Sequence, residues 1–358
     1  MGLFCSDVRG AFDRVCRQRL GAKLRVSGLP PDVISFLESW LEDRIATVVV
    51  SGAKSESCAL ANSVFQGTVL GPPLWNFFYA DARFAVRDYG FIETVFADDF
   101  NCWTILDKDA TALEATLKLS ECQSSLHRWG AANRVCFDPL KEEFVVIRRR
   151  KALGSDFKLL GVTFDAQLLM HSGVRKIAVE AGWRLRAILR ARSYFTTPEL
   201  FRLYKANVLS YIESGVAGYF HACDSTLDSV DRIQIRFLRS IGLSEEDALL
   251  SFRLAPLKMR RCIAILGFLH RVVLGLVSPQ ILDLFPRAAV RDNRDSISER
   301  VRGVAQRHDK QLLDRVHARS SEQFKRSIFG MVQCNNALPQ DIVNQDSISG
   351  FQQRANLA

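Results

Sequence analysis

The stretch Val95-Phe96-Ala97-Asp98-Asp99-Phe100-Asn101-Cys102-Trp103 decides how the chain reads. Aromatic and β-branched residues on either side of the acidic pair predict two strands, and the pair falls where the hairpin between them turns. Asp favours turns, so a turn alone would explain it. Two adjacent carboxylates beside apolar strands also place charge against a core, which something must offset. A metal ion is one such partner, and at the level of these residues the two readings stand side by side.

Working outward, Leu3 to Val8 predicts a further strand carrying Asp7 near its end. The opening Met1-Gly2-Leu3-Phe4-Cys5-Ser6 also fits a loose acylation pattern, but the strand reading is preferred because that pattern is short and common by chance. Ala46 to Val50 followed by Ser51-Gly52 reads as a strand and turn; Phe144 to Ile147 and Lys158 to Thr163 read as two more strands. Ala110 to Trp129 reads as a helix with an apolar stripe at Leu113, Leu117, Cys122 and Leu126. After about residue 166 the pattern turns helical. Thr196-Thr197-Pro198-Glu199 is a helix start, followed by Leu200, Tyr204, Val208 and Tyr211 at helical spacing. Asp224-Ser225 opens another helix, with Leu227, Val230, Ile233, Phe237 and Ile241 on one side and Arg232, Arg236 and Arg239 on the other. Such a basic face is ordinarily solvated surface. Residues 278–358 are polar and Arg-rich, turning Asn/Gln/Ser-rich towards the end.

Composition sets outer limits. Of 358 residues, 48 are Lys or Arg and 39 Asp or Glu, a net charge of +9 that suits a polyanionic partner without requiring one. Nine cysteines without a C-x-x-C pair predict reduced thiols, not a disulfide framework or a zinc site. The longest apolar stretch, Cys262 to Pro279, is broken by His270 and Arg271 and reads as a buried helix, not a membrane span. The chain reads as a protein of the nucleus or cytoplasm, with Arg148-Arg149-Arg150-Lys151 as a basic loop in preference to a nuclear signal.

Nucleotidyl transfer needs two or three carboxylates on rigid supports, holding two hard cations about 3.5–4 Å apart. Asp7 with Asp98 and Asp99 offers such a set, and the surrounding residues carry a family resemblance. Asp7-Val8-Arg9-Gly10-Ala11-Phe12-Asp13 resembles motif A, D-x-x-x-A-F-D, of the reverse transcriptases of non-LTR (LINE, jockey-type) retrotransposons. Gln66 to Asn76, QGTVLGPPLWN, resembles motif B, although Phe65 stands where the family usually has proline. Phe96-Ala97-Asp98-Asp99 resembles motif C. Asp138-Pro139-Leu140-Lys141-Glu142-Glu143 resembles the N-P-x-K-[TS]-E that ends motif D, and Leu159-Leu160-Gly161-Val162 the strand of motif E. Leu203-Tyr204-Lys205-Ala206 and the segment from Val230 to Arg239 resemble the helical region that follows, so the resemblance spans about residues 1–275.

The resemblance implies an α+β fold: a right-hand polymerase palm (an antiparallel sheet with packed helices) at 1–165, an all-helical thumb at 166–277, and a basic, Arg-rich, partly disordered extension at 278–358. It implies RNA-directed DNA polymerase activity with two Mg²⁺ ions (Mn²⁺ as the alternative), an RNA template, a DNA primer and deoxynucleotide triphosphates, and no membrane. Asp7, Asp98 and Asp99 would hold the metals and Lys141 would protonate the pyrophosphate. Phe12 would lie under the incoming sugar, Gln66 and Gly67 against nucleotide and template, and Leu160-Gly161 against the primer. Arg232, Arg236 and Arg239 would contact nucleic acid. The fingers, endonuclease and RNase H regions of such elements are not recognised in the sequence. We therefore expect a truncated copy or partial gene with little extension activity by itself, whose rivals are an inactive nucleic-acid-binding remnant and a metal-dependent nuclease.

Overall fold

The computed structural model describes residues 1–60, 62–288 and 308–355. The chain divides into two compact units, Met1–Phe157 and Lys158–Ala358.

The first unit is built on a four-stranded antiparallel sheet of β1 (Gly2–Asp7), β2 (Ile92–Phe96), β3 (Asp99–Thr104) and β4 (Glu143–Val146), in the order β2-β3-β1-β4. Burial follows position in the sheet. Inner strand β1 buries Gly2 to Ser6 on both faces, and β3 alternates, turning Phe100, Cys102 and Thr104 inward. Edge strand β2 leaves Ile92, Val95 and Phe96 exposed. Around the sheet lie α1 (Arg17–Val26), α2 (Pro31–Leu41), α3 (Gly71–Tyr79), α4 (Ala82–Arg87) and α5 (Ala112–Asn133). Helix α5 starts on a capping box between Thr111 and Glu114, which satisfies two free N–H groups at once. It ends at Arg134 in the left-handed conformation.

The expected stripe on α5 is corrected in its first half. Leu113 and Leu117 are exposed, and Ala115, Leu119, Cys122 and Leu126 form the buried face. The expected strand from Ala46 is likewise shorter. Val49–Val50 pairs with Ala53–Lys54 around Ser51-Gly52, both at positive φ.

At the start of the second unit, the single strand expected over residues 158–163 is instead a hairpin, whose first residue, Phe157, is the last of the first unit. Phe157–Leu159 pairs with Val162–Phe164, and Leu160 (φ +46°) and Gly161 (φ +85°) make the turn. The main helices are α6 (His171–Arg190), α7 (Thr197–Tyr204), α8 (Asp224–Ser240), α9 (Leu257–Val273) and α10 (Ile348–Ala355). The Thr196 and Glu199 capping box opens α7 as the sequence predicts. Tyr204 stacks on Phe237 at 4.3 Å in a core that includes Leu200, Val208, Leu227 and Val230. Arg261, nearly fully buried, donates two hydrogen bonds to Asp231, which compensates its desolvation. Helix α9 takes in the expected apolar stretch only from Cys262 to Val273, beyond which the chain turns at Leu274-Gly275, and no helix among the described residues is long and apolar enough to cross a membrane.

The described part of the C-terminal region is folded. Leu312, Met331, Val332, Ile342, Val343 and Phe351 join the same core, and Phe351 stacks on His270 at 4.2 Å. Much of the Arg-rich segment, residues 289–307, lies outside the described residues.

Candidate active site

Asp7 ends β1 and Asp99 begins β3, and the antiparallel register sets the two directly opposite each other. Like charges facing across a strand pair are destabilising, so this placement costs stability. Asp98 sits beside them. Phe96 pairs with Asp99, which closes a two-residue turn on Ala97-Asp98. The first turn position needs positive φ, where glycine is the usual residue, yet Ala97 holds φ +55°. Trp75 holds it in place: the indole Nε1 donates to the Ala97 carbonyl at 2.8 Å, from a side chain 1% exposed. Helix α3 therefore fixes the acidic turn through one buried hydrogen bond.

The loop before β4 wraps the other side of Asp7. The Asp138 N–H donates to the Asp7 carbonyl at 2.9 Å, and the Lys141 N–H donates back to the Asp138 carbonyl at 2.9 Å. Lys141 Nζ donates to Asp7 Oδ2, forming an ion pair. Hydrogen bonding to Asp7, together with its charge, raises the Lys141 ammonium above its ordinary value. Partial burial, reinforced by the carboxylate of Asp7, pushes Asp98 up against the opposing pull of a backbone hydrogen bond and Lys141. Burial and the charges of Asp7 and Asp98 raise Asp99 as well. Asp98 and Asp99 thus feel the carboxylate of Asp7, and the single Lys141 ammonium offsets only part of the charge of the three.

Tyr79, on the last turn of α3, belongs to this site although no sequence signal singles it out. Burial, followed by the charges of Asp98, Asp7 and Asp99, raises its phenol well above the ordinary value. Its ring stacks on Trp75 at 4.8 Å, and its hydroxyl has no hydrogen-bond partner among the described residues. Trp75 was legible only as part of a motif.

Among the described residues, no group of three or more His, Cys, Asp or Glu side chains is arranged to hold a metal ion. Lys141 engages Asp7 instead. The chemistry of the donor set still fits hard divalent cations: carboxylate oxygens only, with Asp98 and Asp99 raised by burial and by neighbouring carboxylate charge, the second of which a cation would relieve.

Of the other predicted residues, Phe12 stacks on Trp75 at 5.7 Å, which connects it to the acidic turn. The Val64 N–H donates to the Phe12 carbonyl at 3.0 Å, tethering the loop that carries Gln66 and Gly67. Both of those residues are exposed, and Gly67 takes φ +84° with open space around it. At Gly71 a Cβ would lie 2.7 Å from the Phe65 carbonyl, so this close approach requires glycine. Leu160, Gly161, Arg232, Arg236 and Arg239 belong to the second unit, and all five are exposed.

An α+β unit with a carboxylate cluster gathered at adjoining strand ends is the class of domain that this geometry defines. Residues 2–164 match the family described as reverse transcriptase (RNA-dependent DNA polymerase). Similar proteins include the RNA-directed DNA polymerases from mobile element jockey of Drosophila funebris and Drosophila melanogaster, each 26% identical over 66% of this chain. The probable RNA-directed DNA polymerase from transposon X-element of Drosophila melanogaster is 30% identical over 66% of the chain. Residues 2–164 thus carry a reverse transcriptase domain, similar to those of the jockey and X-element mobile-element polymerases. The chain spans only 27–28% of the length of these relatives.

Proposed function

We propose that the first unit is a polymerase palm that extends a DNA primer on an RNA template. The observation that carries this reading is the meeting of Asp7, Asp98 and Asp99 where β1 adjoins the β2–β3 turn. Asp7 and Asp98 are the principal ligands for two Mg²⁺ ions, with Asp99 in support. Bound there, the ions supply activation of the primer 3′-hydroxyl and charge stabilisation of the leaving pyrophosphate. The protein's own contributions are positional and protonic. Lys141 carries a proton next to Asp7 that can be delivered to the pyrophosphate oxygen. Phe12 presents a ring under the incoming sugar, where a ribose 2′-hydroxyl would collide. Gln66 and Gly67 lie against the nucleotide and template.

In the second unit, residues 166–277 are the thumb, with Leu160-Gly161 as primer contact and Arg232, Arg236 and Arg239 as phosphate contacts. A second reading is a nucleic-acid-binding remnant without turnover, favoured by the engagement of Asp7 with Lys141 in place of a ready metal group. Primer extension on an RNA template with Mg²⁺ tests both. Extension that disappears in Asp98→Ala supports the polymerase, and primer binding without extension supports the remnant. Shortening of the primer would instead identify a nuclease.

A further inference from the structure

The side chain of Glu142 is 6% exposed and lies between three elements, yet the polymerase reading gives it no role. A buried carboxylate is costly unless its oxygens are satisfied. Here they are satisfied three times. Ser6 Oγ donates to Oε1 at 3.0 Å, His127 Nε2 lies 2.7 Å from the same oxygen, and Gln123 Nε2 donates to Oε2 at 2.7 Å. Ser6 immediately precedes Asp7 on β1, while Gln123 and His127 are one turn apart on α5. Glu142 immediately follows Lys141. One side chain thus ties the Lys141 loop to the strand bearing Asp7 and to the longest helix of the unit. The His127 ring is itself held, stacked on Phe137 at 5.3 Å with an interplanar angle of 5°.

We infer that Glu142 is a positioning residue that latches the Lys141 ammonium onto Asp7, so that a divalent cation arriving at Asp7 must displace this internal counter-ion. The latch explains why Lys141 keeps its pairing although its side chain is 61% exposed: water competes for the ammonium, but the backbone behind it cannot drift. The cation-displacement part rests on the metal reading of the carboxylates, whereas the latch itself does not.

Two measurements keep these apart. The first is the acetylation rate of Lys141 in the full chain, read by mass spectrometry, because an ammonium held on a carboxylate is a poor nucleophile. Glu142→Gln keeps the shape and weakens the bonds, and it should speed labelling of Lys141 by about two- to fivefold, the worth of an exposed ion pair. Ser6→Ala, which removes only the tie to β1, should act in the same direction and guards against misfolding of the first variant. An unchanged rate in both variants overturns the latch. The second measurement is Mn²⁺ affinity by electron paramagnetic resonance. Lys141→Ala should tighten binding, Glu142→Gln should tighten it less, and the double variant should match Lys141→Ala. Losses or gains that simply add would show that Glu142 acts independently of Lys141 and would overturn the proposal. Mn²⁺ binding that is undetectable, or unchanged in Asp98→Asn, would overturn the displacement and the metal reading together, while the labelling rate would still decide the latch.

Discussion

Replacing Tyr79 with phenylalanine should stabilise the first unit. The tyrosine is 3% exposed and its hydroxyl has no partner among the described residues. A buried polar group left unsatisfied costs about 1–3 kcal/mol. The ring itself is well placed, stacked on Trp75 at 4.8 Å and edge-on to Trp129 at 5.4 Å and Phe100 at 6.0 Å. Phenylalanine keeps all three contacts and removes only the oxygen, leaving a void too small for a packing penalty to dominate. The expected gain is about 1–2 kcal/mol, or a rise of roughly 2–8 °C in midpoint for a unit of this size. Urea unfolding followed by tryptophan fluorescence is the assay. Trp40, Trp75, Trp103 and Trp129 all lie in the first unit, with only Trp183 outside it, so the signal reports this unit. The denaturant slope should not change, since the surface exposed on unfolding is the same. A loss of about 0.5 kcal/mol or more would refute the reasoning, because it would mean that the hydroxyl is satisfied in solution and contributes to the fold.

Other outcomes follow from the same site. Asp98→Asn should raise stability by removing one of three mutually repelling carboxylates while abolishing primer extension; equal loss of both would show that the residue is structural. The pH dependence has a definite sign. Asp98 and Asp99 are raised in the folded state, so their contribution is fully present below the unfolded carboxylate value and is lost as pH rises through the folded values. As pH rises above about 4, the usual carboxylate value, wild-type stability should therefore fall relative to an Asp98→Asn, Asp99→Asn double variant; denaturation midpoints measured in parallel check this, and a rise of the wild type relative to the variant would refute it. Trp75→Phe deletes the indole donor to the Ala97 carbonyl and part of a buried ring. It should cost about 2–3 kcal/mol and reduce extension more than a surface variant of equal stability, a comparison that kinetics on stability-matched variants can make.

Much of the scaffold was legible locally. Aromatic and β-branched residues on both sides of Asp98-Asp99 specify two strands with the acidic pair at their turn, and in β3 burial alternates because side-chain direction in a strand has period two. Thr196 with Glu199 specifies a helix start because the cap is satisfied within four residues. The motifs around Asp7, Gln66 and Asp98 identified the family from short segments in order.

What the sequence left open depended on partners far along the chain. On α5, Leu113 and Leu117 fit a helical stripe as well as Ala115 and Leu119 do. Only packing against the sheet selects the second set, leaving both leucines in water. At Leu160-Gly161, the positive φ of both residues bends an apparently continuous strand into a hairpin. The acidic pair itself was visible from the start. Its charge environment was not, because the Lys141 ammonium reaches Asp7 across 134 residues, held by the register of β1 and β4 and by Glu142. Residue type fixes which groups can carry charge, but electrostatic coupling falls off with distance in space, and only the folded chain sets those distances.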